Sequence, residues 1–109
     1  MRKANIYVQG RYAGQLLEEE LGRAYRFTYD NDYQGPPVSL TMPVHEKSFR
    51  YNRFPPFFDG LLPEGVQLEG LLKRAKVDRN DLFSQLIAVG ADMVGAVTVE
   101  GETDGPEVA

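Results

Sequence analysis

At 109 residues and 42% hydrophobic content the chain is long enough for one hydrophobic core, and domains of this size bury about two thirds of their unfolded surface. A formal charge of -4 and a pI of 4.9 leave no domain-wide positive field to draw in phosphate backbones or anionic lipid, which argues against nucleic acid as a primary partner. Cysteine is absent and histidine occurs once, at His45, which removes thiolate chemistry, disulfides and zinc sites built from several nitrogen or sulfur ligands.

The opening segment carries Arg2 and Lys3, but polar Asn5 and Gln9 break up the next residues, so it lacks the apolar run of a secretory signal. No stretch reaches the roughly 20 apolar residues of a membrane span. A cytoplasmic chain with no membrane contact is expected.

Residues 4–9 alternate and are rich in β-formers (Ile6, Tyr7, Val8). Gly10 and Arg11 then precede a second extended run, residues 12–18, which predicts a hairpin. After the acidic run Glu18, Glu19, Glu20, residues 24–29 place Tyr25, Phe27 and Tyr29 at period two with Arg26 and Thr28 between them, the pattern of a half-buried antiparallel strand. Beyond Gly35-Pro36-Pro37, Val38, Leu40 and Met42 alternate with Ser39 and Thr41, which predicts a fourth strand ending at Pro43. Residues 44–53 are charged and weakly patterned, with Phe49 and Tyr51 suited to a short strand or a surface loop.

The apolar segment 54–65 carries three prolines (Pro55, Pro56, Pro63) and two glycines (Gly60, Gly65), so it supports one helical turn after Pro56 and no long element. Leu68, Leu71, Leu72 and Ala75 then recur at helical spacing, with Glu69 and Lys73 as an i,i+4 pair, and predict an amphipathic helix ending near Val77. A second helix is expected to start at Asp78 or Asn80, bury Leu82, Phe83, Leu86 and Ile87, and stop at Gly90 in the C′ position. A last, β-branched strand is expected over residues 94–99. The result is one α+β domain over residues 1–100, with a mainly antiparallel sheet of about five strands, open or barrel-like, two to three short helices, and a flexible acidic tail at 101–109.

Chemistry-bearing constellations are scarce. His45 has no serine or cysteine motif around it and reads as a solvated loop histidine. The runs Glu18 to Glu20 and Asp30 to Asp32 lack the spacing of a calcium loop and read as a solvated edge and a turn. No phosphate-cradling glycine motif occurs, and Arg50 and Arg53 beside Tyr51 and Phe54 read as outward charges over core aromatics rather than a base-stacking platform. No catalytic residue, cofactor or metal is expected. The proline-bracketed run 57–66 is different, because a loop with this many large apolar side chains either folds under as core or stands as a partner patch. Core suits Phe57, Phe58 and Leu61; Leu62 to Val66 suit either.

The segment Phe57-Phe58-Asp59-Gly60-Leu61-Leu62-Pro63-Glu64-Gly65, followed downstream by Gly90-Ala91-Asp92-Met93-Val94-Gly95-Ala96-Val97, resembles the N-terminal subdomain of HipA-family serine/threonine kinase toxins. Ser39-Leu40-Thr41-Met42-Pro43-Val44 is similar to a strand of that family, and the opening strand pair with Gly14 is similar to its N-terminal hairpin, so the resemblance runs from about residue 4 to 100. In the family this subdomain precedes a kinase body that binds ATP and magnesium, and nothing here matches that body.

Taken as a free-standing chain, the sequence resembles the HipS-like antitoxin of three-gene systems, in which a small protein restrains a shortened kinase, HipT, with a DNA-binding HipB as third member. The resemblance implies a HipT- or HipA-like kinase as partner and a HipB-like protein in a ternary complex, with Leu62, Pro63, Glu64, Gly65, Val66 and Gln67 pressing near the nucleotide cleft. A broader interface adds Phe57, Phe58, Asp59 and Arg53. The alternative is a HipA kinase subdomain that mediates assembly with the HipB repressor rather than inhibition.

Overall fold

Strands β1 (Arg2–Val8) and β2 (Arg11–Glu20) form the expected hairpin, closed by Gln9 and Gly10, both at positive φ (52° and 81°), the mirror-image turn that matches strand twist. Strand β3 (Ala24–Tyr29) pairs antiparallel with β2 and turns Tyr25, Phe27 and Tyr29 inward, as its alternation predicts. The computed structural model describes residues 1–93 and 95–102.

The next element departs from expectation. Residues 38–42 are no strand, because Val38 and Met42 are buried while Leu40 is 93% exposed, a spacing of four rather than two. Local bonds decide it. The Met42 N–H donates to the Ser39 carbonyl at 2.9 Å, and the buried Tyr29 hydroxyl donates to the Met42 carbonyl while accepting from the Val38 N–H at 2.8 Å. One phenol satisfies both ends of the loop, so its backbone needs no sheet partner. The fourth strand, β4 (Ser48–Tyr51), lies instead in the charged stretch, where Phe49 and Tyr51 turn halfway into the core. His45 is exposed in a short 3-10 turn (Val44–Glu46) just before it.

Three α-helices come next: α1 (Pro56–Asp59), α2 (Gly65–Ala75) and α3 (Leu82–Val89). Helix α3 is capped by Asp81, one residue beyond Asn80 and three beyond Asp78, because the Asp81 carboxylate accepts from the Ser84 N–H at 3.1 Å. It buries Phe83 and Leu86, half-buries Leu82 and Ile87, and also buries Gln85, whose amide donates to the carbonyls of Asp78 and Arg79. The helix stops at Gly90 as expected, although Gly90 is right-handed (φ -55°) and leads into a second 3-10 turn (Gly90–Asp92). Its reason is closeness, since a Cβ there would collide with the Val99 carbonyl oxygen.

Strand β5 (Val97–Glu102) begins and ends three residues later than expected; Val94 and residues 103–109, most of the expected acidic tail, lie outside the described residues. It pairs with β1 (Ile6 opposite Val99), which gives a single open antiparallel sheet of order β4-β3-β2-β1-β5. One face of this sheet meets α1 and α3 around Ile6, Leu16, Phe27, Phe58, Phe83, Leu86 and Val99. Each of these large side chains contributes roughly 1.5–3 kcal/mol by burial. The other face carries polar side chains.

Candidate partner-binding site

The segment between β4 and α2 is held by its aromatic half and displayed by its aliphatic half. Phe54 is buried edge-on against Tyr25 (5.4 Å between centroids), and Pro56 occupies the first turn of α1, where a missing N–H costs nothing. Phe58 is fully buried beside Phe27, with Phe57 half-buried against it at 5.2 Å. The turn continues past the helix through the Leu61 N–H to the Phe58 carbonyl and the Leu62 N–H to the Asp59 carbonyl, both 3.1 Å.

From there the chain rises to the surface. Leu61, Leu62 and Pro63 are half-buried, and Asp59, Glu64, Gly65 and Gln67 are exposed. Val66 is 88% exposed at the start of α2. Gly65 has φ +60°, a left-handed conformation strained for any residue with a side chain, and it makes the turn from loop to helix possible. Helix α2 buries only Leu71, with Leu68 and Leu72 half-buried and Ala75 exposed, so its apolar face is narrower than the spacing suggests. Glu69 pairs with Arg79 at 2.6 Å rather than being reserved for Lys73.

Loop 60–63, α2 and the end of α3 enclose an open groove of about 510 Å³. Leu61, Leu62, Pro63, Ala88, Val89 and Met93 supply apolar walls, while Gln67, Arg74 and Asp92 supply polar ones. Of the expected contact residues, Leu62, Pro63 and Gln67 line this groove, whereas Val66 is exposed and does not line it. Asp59 opens instead onto a smaller groove with Arg53, Phe54, Pro56 and Leu82, while Phe58 supports the loop from beneath. Such a groove has the shape and polarity to take a partner's apolar side chains, with charge at its margin for orientation.

The start of α3 is tied to the sheet by an ionic network that the acidic run in the sequence conceals. Glu18 does not belong to a solvated edge: it is 3% exposed and accepts from Arg2 (Nε 2.6 Å, Nη2 3.0 Å), from the Tyr25 hydroxyl (3.0 Å) and from the Gly22 N–H (3.1 Å). Arg2 also reaches Asp81 (2.9 Å) and the Ser84 hydroxyl (2.8 Å). Burial raises the Glu18 carboxyl, but Arg2, Gly22 and Tyr25 outweigh it and hold it below its ordinary 4.5. Asp81 is lowered likewise: its burial is outweighed by Arg2 and Ser84. Burial, and then Glu18, push Tyr25 up to about 12. The sequence does hold the signal, because period two places Glu18 on the inward face with Leu16.

Among the described residues no group of three or more acidic, histidine or cysteine side chains could hold a metal, and no helix is long and apolar enough to cross a membrane.

A family model described as HipA N-terminal domain matches residues 4–100. A solved structure, the N-terminal domain of HipA toxin, superposes with a TM-score of 0.75 at 30% identity and covers 96% of each chain. An uncharacterized protein of Haemophilus influenzae is 32% identical over 94% of both chains. Two Sinorhizobium fredii proteins, "Putative kinase Y4mE" and "Putative kinase Y4dM", are 29% and 37% identical; the match takes in 97% and 94% of this chain but only 26% and 28% of theirs.

Proposed function

The chain belongs to the HipA N-terminal domain family, and from that premise we propose that it is a non-enzymatic protein-binding module of the cytoplasm, the antitoxin that binds and inhibits a HipT- or HipA-like serine/threonine kinase. The observation that carries this reading is the groove beside loop 60–63, lined by Leu62, Pro63 and Gln67, with Val66, next to Gln67 in the chain, 88% exposed. An apolar loop on a rigid support can deliver affinity through a few side chains, and here Phe58 anchors the loop from below, half-buried Leu62 and Pro63 line the groove and Val66 is exposed. The Haemophilus influenzae relative, matched over 94% of its own length, is itself a protein of about this size.

Co-purification with a HipA-type kinase body that lacks this subdomain, followed by autophosphorylation with and without the chain, tests the proposal. A stable complex with suppressed autophosphorylation, lost on Val66→Asp, is expected. A folded chain that forms no complex would sink the reading.

A second reading is favoured by the match to about a quarter of each Sinorhizobium fredii protein. In it the domain is the N-terminal part of a HipA kinase and assembles with a HipB-like repressor without inhibiting. That reading requires a complex with the repressor while autophosphorylation is unchanged.

A further inference from the structure

Strand β4 is an edge of the sheet, paired with β3 alone. The Tyr29 N–H donates to the Lys47 carbonyl at 2.8 Å, which fixes the ladder phase. In an antiparallel ladder hydrogen-bonded pairs alternate with non-bonded ones, so Phe27 opposite Phe49 is bonded and Arg26 opposite Arg50 is not. The backbone N–H and carbonyl of Ser48 and Arg50 therefore point away from β3, toward the open edge.

Charge is concentrated at the same place. Arg26 and Arg50 face each other across the closest type of cross-strand pair, where like charges repel. Glu19 pairs with Arg26, and among the described residues Arg23 and Arg50 have no carboxylate partner. Arg26 Nε is buried without an acceptor. Arg23, Arg50 and Glu19 line an open trough of about 520 Å³ with Tyr25, Tyr51 and Asn52. A chain of net charge -4 thus gathers three guanidinium groups, those of Arg23, Arg26 and Arg50, at this end of the sheet, with Glu19 paired to Arg26 and Glu20 opposite Ala24.

We propose that β4 accepts an extended segment of another protein by strand addition, and that this segment alternates acidic with apolar residues. The alternation comes from the pleat: Ser48 and Arg50 lie on the polar face, so acidic side chains of the incoming strand fall beside Arg50 and Arg23, while Phe49 and Tyr51, half-buried on the other face, receive the apolar ones. An unpaired edge specifies a peptide backbone, which a phosphate chain does not supply. The trough shares no residue with the groove at loop 60–63, so the proposal stands apart from the kinase reading.

The test is an NMR titration of the full chain with a synthetic peptide of alternating glutamate and valine, its scrambled form, its lysine-for-glutamate form, and a single-stranded oligonucleotide. The alternating peptide is expected to shift and protect the Ser48 and Arg50 amides, to bind more weakly as salt is raised, and to lose about fivefold to tenfold in affinity with Arg50→Glu or Arg23→Glu. Both substituted residues are exposed, so the variants should keep the wild-type spectrum elsewhere. Equal binding of the scrambled or lysine peptide, binding of the oligonucleotide alone, or no effect at β4 in the folded chain would overturn the proposal.

Discussion

The two ends of the helical layer are built in opposite ways. Around α3, Phe83 and Leu86 are fully buried, the N-cap is a bonded aspartate, and Arg2, Glu18, Asp81, Tyr25 and Ser84 share a continuous set of hydrogen bonds. Around the start of α2, one residue of the helix is buried, the N-cap Glu64 makes no side-chain capping bond, and Val66 stands in solvent. The first region uses its side chains on its own fold; the second leaves Val66 and most of its helix in solvent. Substitutions should therefore separate stability from binding according to which region they touch.

Phe58→Ala should break the comparison from the stable side. Phe58 packs beneath the displayed loop against Phe27 and Phe57, and its loss should cost about 3–5 kcal/mol, read as a lowered urea midpoint with little change in slope. Binding would fall as well, because the support and the loop are one piece. Gly90→Ala sets up a similar loss by overpacking, since its Cβ would meet the Val99 carbonyl, and the expected readout is weakened amide protection along β5.

Glu18→Gln comes next. It leaves Arg2 with Asp81 as its only carboxylate, and because a third of the Arg2 side chain remains exposed the cost should be about 2 kcal/mol rather than that of a fully buried pair. The acid dependence has a definite sign. Glu18 and Asp81 both lie below their ordinary 4.5 and 3.8 in the folded chain, so the unfolded chain takes up protons first as pH falls. Their stabilisation is present above those ordinary values and is lost as pH drops through the lower, folded ones. Urea midpoints at pH 7 and in the acid range should show that drop in the wild type and a smaller one in Glu18→Gln; equal drops would mean that Glu18 is not the group responsible.

Much of this is legible in the sequence where the signals are periodic. The alternation of Tyr25, Phe27 and Tyr29 marks β3, and the punctuation by prolines and glycines marks the single turn of α1. Alternation misleads at Val38, Leu40 and Met42, where the Tyr29 hydroxyl satisfies the loop and turns Leu40 outward. At Glu18 the adjacent acids suggest solvent although the pleat points this one inward. The loop at the groove is legible as apolar and proline-bracketed, yet which half is core and which surface depends on Phe58 finding Phe27, a contact between residues 31 apart in the chain.

Val66→Asp should have the smallest effect on the fold and sharpens the comparison most. The side chain is 88% exposed in the first turn of α2, and an acid is favourable near a helix N-terminus, so stability should stay within about 0.5 kcal/mol of wild type. On a kinase surface that takes an apolar side chain, burying an unpaired carboxylate should instead cost at least about tenfold in affinity. Matched urea curves beside a lost complex would place Val66 in the binding surface and confirm that the α2 end is the functional one. Unchanged binding would move the contact along the groove toward Leu62 and Gln67, or away from loop 60–63 altogether. The double substitution with Phe58→Ala then separates the two: additive effects on stability, with no further loss of binding from Val66, would show that the loop must first be held in place before its exposed residues count.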